Sequence, residues 1–269
     1  MTAVSDLDLY LMALLDPVAL FTEATGFEPQ PWQPAFLRCE DNTLTLKGRQ
    51  VGASTATGLK AVRLGILKPR STSLIVSPGL NQSKEVLERA GGHIERLGIR
   101  LVEDSSTHVK MENGSRIISL PGSKKSVRGW TASGLLVIDE AAFLDPATYL
   151  AARAIAATSL KSGAVVAMQS TPAGPYGHFY NLWEAGAGLP GRWERFFVTS
   201  EEVTSIGDDF LAAERLTLTE DEYAQEYLGR FGSAGLGLVD PKRLEELTAA
   251  EAPPAAADVW ARARKEAAS

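Results

Sequence analysis

The segment Leu135-Leu136-Val137-Ile138-Asp139-Glu140 constrains this chain more than any other. An apolar run without polar alternation suits a strand covered on both faces, as in the middle of a parallel sheet. Carboxylates at the end of such a strand are expensive to desolvate unless the molecule uses them. A strand buried on both faces with acids at its tip therefore predicts an α/β layer structure with a site at the carboxyl ends of its strands.

The remaining sequence fits that frame. Thr43–Leu46, Ser73–Val76, Ala164–Met168 and Arg195–Val198 read as further strands. Helical spacing runs from about Thr55 to Leu67 and from Asn81 to Leu97, and a third helix follows the cap and first-turn pair Asp145-Pro146. Val109–Met111 and Arg116–Leu120 flank Asn113-Gly114 as a β-hairpin. After Ser200 the chain turns charged and helical, over Asp208–Leu216 and Thr219–Leu228, the latter opening on the capping box Thr219-x-x-Glu222. We expect these helices, within 208–231, to form a small lid. Ser233–Gly237 reads as a linker and 240–269 as an Ala- and Glu-rich helical tail.

Composition narrows the class. At 45% hydrophobic and 22% charged residues, the chain has material for a core, which excludes global disorder and coiled coil. It has no apolar run near the roughly 20 residues of a membrane span, and its first residues lack a signal-peptide pattern, so a soluble intracellular protein is expected. The single cysteine and three histidines offer neither an internal disulfide nor a zinc cluster. A net charge of −6 argues against coating nucleic acid with the whole surface, but leaves room for a local basic channel. Lys60, Arg63, Lys68 and Arg70 form one basic stretch and Lys124, Lys125 and Arg128 another; each alone reads first as a solvated face.

The second informative element is Lys47-Gly48-Arg49-Gln50-Val51-Gly52-Ala53-Ser54-Thr55, between the first strand and its helix. Measured against the phosphate-loop pattern G-x-x-x-x-G-K-[ST], Gly52 and Ser54 fit, Ala53 stands in the lysine slot and Lys47 in the first glycine slot. The chemistry needs backbone N–H groups at a helix N-terminus and one reachable cation, which either Lys47 or Arg49 supplies, while Ser54 offers a magnesium ligand. In such NTPases the first strand-end acid, here Asp139, holds the magnesium shell, and the next, Glu140, activates the attacking water. Upstream, Pro31-Trp32-Gln33 offers an amide for an adenine edge, or else a surface glutamine. Downstream, Ser170-Thr171-Pro172 ends a strand with hydroxyls suited to sensing a γ-phosphate, or is an ordinary strand stop.

In this order the features resemble the large terminase subunits of tailed bacteriophages. The resemblance rests on Pro31-Trp32-Gln33, Arg49–Gly52, Val127-Arg128-Gly129, Ile138–Phe143, Ser170–Gly174 and Gln225–Phe231, from about residue 28 to 232. It implies a P-loop ATPase domain over residues 1–232 that uses ATP and Mg2+ to pump double-stranded DNA into a procapsid. The implied partners are a portal protein, a small terminase subunit and further copies in a ring, in the host cytoplasm and with no membrane.

By the same resemblance Trp32 and Gln33 lie at the nucleotide, and residues 47–55 at the phosphates. Asp139 and Ser54 lie at the metal, Glu140 at the water, and Ser170, Thr171 and Pro172 in a coupling motif. Arg128 is implied as a finger reaching a neighbouring subunit, with Arg49 the alternative source of that charge. Such subunits usually continue into a nuclease domain, and Asp240, Glu245, Glu246 and Glu251 read as a solvated helix instead. Two other readings stay open: a helicase-like DNA-dependent ATPase, and a nucleotide-binding adaptor on the portal that has lost hydrolysis, which Ala53 favours.

Overall fold

The computed structural model describes residues 5–127, 129–185 and 191–232. Helices α1 (Asp6–Leu15), α2 (Pro17–Thr25) and α3 (Gln33–Arg38) precede β1 (Asn42–Lys47) and α4 (Ala53–Leu67). Next come β2 (Thr72–Ser77), α5 (Leu80–Arg96), β3 (Leu101–Asp104), β4 (His108–Met111), β5 (Arg116–Pro121) and α6 (Lys124–Val127). The chain continues through β6 (Leu135–Asp139), α7 (Pro146–Lys161), β7 (Val165–Ser170), α8 (Gly177–Ala185) and β8 (Trp193–Val198), and closes with α9 (Asp208–Thr217) and α10 (Glu220–Glu226).

The strands form one eight-stranded sheet in the order β3-β4-β5-β2-β6-β7-β1-β8. Pairing is parallel from β5 to β8 and antiparallel in the β3-β4-β5 meander. The uninterrupted apolar runs are explained by parity. Leu74, Val76, Leu136 and Ile138 join one core with α7 and α8, whereas Ile75, Leu135 and Val137 join the other with α1 to α5. β7 lies between β1 and β6, so three central strands deliver their carboxyl ends to one place. A third cluster packs α9 and α10, through Leu211, Tyr223 and the adjoining Tyr227, against Val51 of the β1–α4 loop and Ala53 at the start of α4.

Where one side chain decides a cap or a turn, the structure has it as the sequence predicts. Asp145 caps α7 through the N–H groups of Ala147 and Thr148, Thr219 caps α10 through Glu222, and Gly114 turns the β4–β5 hairpin at φ +84°. The tail beyond residue 232 lies outside the described residues. Among those described, no helix is long and apolar enough to cross a membrane.

The first basic stretch is a solvated face only in its second half, where Lys68 and Arg70 are exposed; Lys60 and Arg63 are buried. Lys60 is 2% exposed; its Nζ donates to Cys39 O at 2.7 Å, beyond the end of α3, and sits 4.7 Å from the Phe36 ring centre. Buried Arg63 donates to Ala13 O in the last turn of α1 at 2.6 Å, and Lys68 to Gly163 O just past α7 at 2.6 Å. Helix C-termini leave carbonyls without partners and carry partial negative charge, so these cations fasten helix ends rather than a ligand. In the second stretch Lys125 is exposed, while the Lys124 side chain and Arg128 lie outside the described residues.

Burial lowers the pKa of Lys60 to about 8, from 10.5. Between those values the unfolded chain binds the proton more than the native one, so stability attributable to this group rises with pH across that window. Relative to Lys60→Met, the wild type should gain up to about 1.4 kcal/mol per pH unit from pH 8 to 10.5, with no change in the difference between pH 6 and 7. Urea titrations of both proteins over this range check the result.

Candidate active site

Lys47 and Asp139 are the last residues of β1 and β6, and Ser170 the last of β7. Lys47 Nζ donates to Glu140 Oε1 at 2.8 Å, joining the first loop position to the second acid. Glu140 adopts φ +47°, unfavourable for a residue with a side chain; its carbonyl accepts from Phe143 N, so the turn Ala141–Phe143 supports that backbone. Ser170 Oγ approaches Glu140 Oε2 at 3.5 Å and accepts the Ala142 N–H at 3.1 Å. Glu140 is thus reached by a cation from β1 and a hydroxyl from β7.

Asp139 is buried and accepts from Gln169 Nε2 at 2.8 Å. Desolvation, reinforced by the neighbouring Glu140 and opposed by Lys47, raises its pKa to about 6. A carboxylate that burial holds back from ionising gains from a cation beside it, and an oxygen donor of this kind suits a hard divalent ion.

The loop between β1 and α4 is held from outside. Trp32 Nε1 donates to Val51 O at 2.9 Å and Gln33 Nε2 to Gly52 O at 3.0 Å. Gln33 Oε1 also accepts the Gln30 N–H at 2.8 Å, so both ends of this buried amide bind main chain. Gly52 adopts φ +79°, and a Cβ there would lie 2.7 Å from Gln33 Nε2, so glycine is required twice over. With these carbonyls pinned, the N–H groups of residues 50–55 have no hydrogen-bond acceptor among the described residues. Consecutive free N–H groups at the start of a 15-residue helix form a cradle for an anion.

Other predicted residues lie around this cradle with partners of their own. Arg49 is largely exposed; its guanidinium pairs with Glu226 of α10, its N–H donates to Glu226 O, and its carbonyl accepts from Ser200 Oγ. Gly48 fits only because a side chain there would strike the Tyr227 carbonyl. Ser54 and Thr55 are half-buried in the first turn of α4, and Ala53 is buried against α9 and α10. Thr171 is buried beyond Ser170 and precedes Pro172. Arg128 lies outside the described residues.

Several contributors were not expected from sequence. His93 bridges Thr55 O, 3.0 Å from Nε2, and Ala24 O, 3.4 Å from Nδ1, tying the first turn of α4 to α2; burial lowers its pKa. His178 stacks on Tyr149 with ring centres 3.7 Å apart and reaches Ala141 O at 2.9 Å, behind Glu140. Glu226, Ser200 and Gln169 complete the set. A polar residue ending the apolar strand 164–168 is the one local signal that marked Gln169.

A family description, terminase large subunit of T4likevirus type, N-terminal part, matches residues 44–242. The chain belongs to this family. Among solved structures, the fold is similar to the large terminase ATPase domain of Thermus phage P74-26, with a TM-score of 0.68, 22% identity, and coverage of 81% of this chain and 99% of that one. It is also similar to the large terminase of the thermophilic bacteriophage D6E in complex with ADP, with a TM-score of 0.57, 14% identity, and coverage of 83% of this chain and 53% of that one. The D6E complex with ATP-gamma-S gives a TM-score of 0.58 at 14% identity. The terminase domain described here thus spans about half of the D6E chain. No curated protein matches the sequence. The expected P-loop α/β sheet with flanking helices is the fold these terminases share.

Proposed function

We propose that this terminase domain is the ATP-hydrolysing motor that drives double-stranded DNA into a viral procapsid. The observation that carries the reading is the meeting of Lys47, Asp139, Glu140 and Ser170 at three adjacent strand ends, beside a loop whose N–H groups at residues 50–55 are free. Those N–H groups and Lys47 hold the phosphates of ATP, and Trp32 and Gln33 keep the loop in that shape. Asp139 and Ser54 hold Mg2+, which when bound neutralises charge on the phosphate oxygens. Glu140 takes a proton from the attacking water, with Lys47 and Ser170 orienting its two oxygens. Ser170, Thr171 and Pro172 relay the change in the site to the rest of the sheet. Arg49 leaves Glu226 for the phosphates as charge builds, or an arginine from a neighbouring copy, Arg128, provides it.

The partners in this reading are DNA, a portal protein, a small terminase subunit and further copies in a ring on the procapsid in the host cytoplasm. Ala53 and the engagement of Lys47 by Glu140 favour a second reading, a nucleotide-binding adaptor without turnover. Phosphate release measured with and without double-stranded DNA separates the two: Mg2+-dependent release that rises on adding DNA supports the motor, and tight binding without release supports the adaptor. Mixing Arg128→Ala with Glu140→Gln protein tests the finger, because mixed assemblies should regain activity that neither variant has alone.

A further inference from the structure

Gln169 occupies a position that neither the family resemblance nor the proposed catalytic roles absorb. It is 1% exposed, and its register partners are Thr45 on β1 and Asp139 on β6, so a buried polar row crosses three neighbouring strands. Thr57, one turn into α4 and fully buried, donates from Oγ1 to Gln169 Oε1 at 2.7 Å. Gln169 Nε2 then donates to Asp139 Oδ1 at 2.8 Å. The two bonds depend on each other. With its oxygen taken by the Thr57 hydroxyl, the amide can only present N–H to Asp139, the polarity that suits an ionised carboxylate.

We infer that Gln169 is a positioning residue that sets the Asp139 carboxylate against the phosphate-loop helix and thereby tunes the magnesium dependence of nucleotide binding. The inference rests on the reading of Asp139 as a metal-shell acid. Asp139 and the cradle at residues 50–55 belong to different elements, and a cation shared between carboxylate and phosphate requires their spacing to be fixed. The chain Thr57–Gln169–Asp139 fixes it from the interior, where no solvent competes for the bonds. Partners that orient metal ligands in this way commonly account for 10–100-fold in metal affinity. Gln169 also directly precedes Ser170, so a shift of Asp139 on metal binding acts on the strand end that meets Glu140.

Equilibrium binding of a fluorescent ATP analogue to the full chain, titrated with Mg2+ and repeated in EDTA, tests this without turnover. Gln169→Met keeps the volume and removes both bonds. It should raise the half-saturating Mg2+ concentration about tenfold while leaving binding in EDTA within about twofold. Thr57→Val should shift it the same way by less, and the double variant should match Gln169→Met, since the two residues act in series. Asp139→Asn should shift it most.

A wild-type Mg2+ response in both Gln169→Met and Thr57→Val, with a displaced one in Asp139→Asn, overturns the role of Gln169 and leaves the metal reading standing. An unmoved Asp139→Asn overturns the metal reading and the inference with it. Equal losses with and without Mg2+ mark a merely structural strut and also overturn the inference. If Gln169→Met does not fold, Thr57→Val, which removes only a hydroxyl, decides alone.

Discussion

Glu140→Gln should bind ATP with near wild-type affinity and lose hydrolysis by roughly two or more decades. The amide keeps the size of the side chain and its contact with Ser170, but cannot accept a proton at neutral pH. The substitution also leaves Lys47 without its anionic partner at 2.8 Å, so the ammonium is freer to meet phosphate. Binding is therefore expected to hold or tighten while turnover falls. Single-turnover phosphate release alongside a binding isotherm makes the check. Near wild-type release in this variant contradicts the assignment of Glu140.

Lys47→Ala is expected to have the other large effect, abolishing hydrolysis and weakening nucleotide binding together. The Lys47 ammonium is the cation that the structure places directly at the paired acids. Arg49 is engaged by Glu226 of α10 instead. Removing Lys47 also withdraws the charge that opposes the rise in the Asp139 pKa, so Asp139 should titrate still higher than about 6. Ala53→Lys in the Lys47→Ala background should restore part of the activity only if α9 and α10 give way, because Ala53 is buried in the cluster with Tyr223 and Tyr227. Normal hydrolysis by Lys47→Ala shifts the role to Arg49, and then Glu226→Gln, which frees Arg49, should raise activity.

The sheet was legible because β6 and most of β7 are covered on both faces and carry no polar alternation. Its end residues stood out for the same reason: Asp139 and Glu140 follow Leu135–Ile138, and Gln169, Ser170 and Thr171 follow Ala164–Met168, runs with nothing polar in them. The N-terminal layer was not legible. α1, with Leu7, Leu11, Leu14 and Leu15 well exposed and Leu9 and Ala13 buried, is apolar nearly all round and shows no helical stripe. β3 is a four-residue edge strand with a mostly exposed face, too short to show a period. The contacts that shape the site were hidden by distance along the chain. Lys47 meets Glu140 93 residues on, Thr57 meets Gln169 112 residues on, and Arg49 meets Glu226 177 residues on. Lys60 and Arg63 could not be told from a solvated face because their charges serve carbonyls at the ends of α3 and α1, helices that sequence periodicity does not reveal.

The account depends on ATP phosphates lying between the free N–H groups of residues 50–55 and the side chains of Lys47 and Asp139. A crystal structure of Glu140→Gln with ATP and Mg2+ tests this most directly. It should show phosphate oxygens about 3 Å from Lys47 Nζ and from those N–H groups, with the metal against Asp139 and Arg49 turned away from Glu226 or still on it according to which cation completes the site. A nucleotide bound elsewhere, with Lys47 still against residue 140 and the loop N–H groups unoccupied, would contradict it.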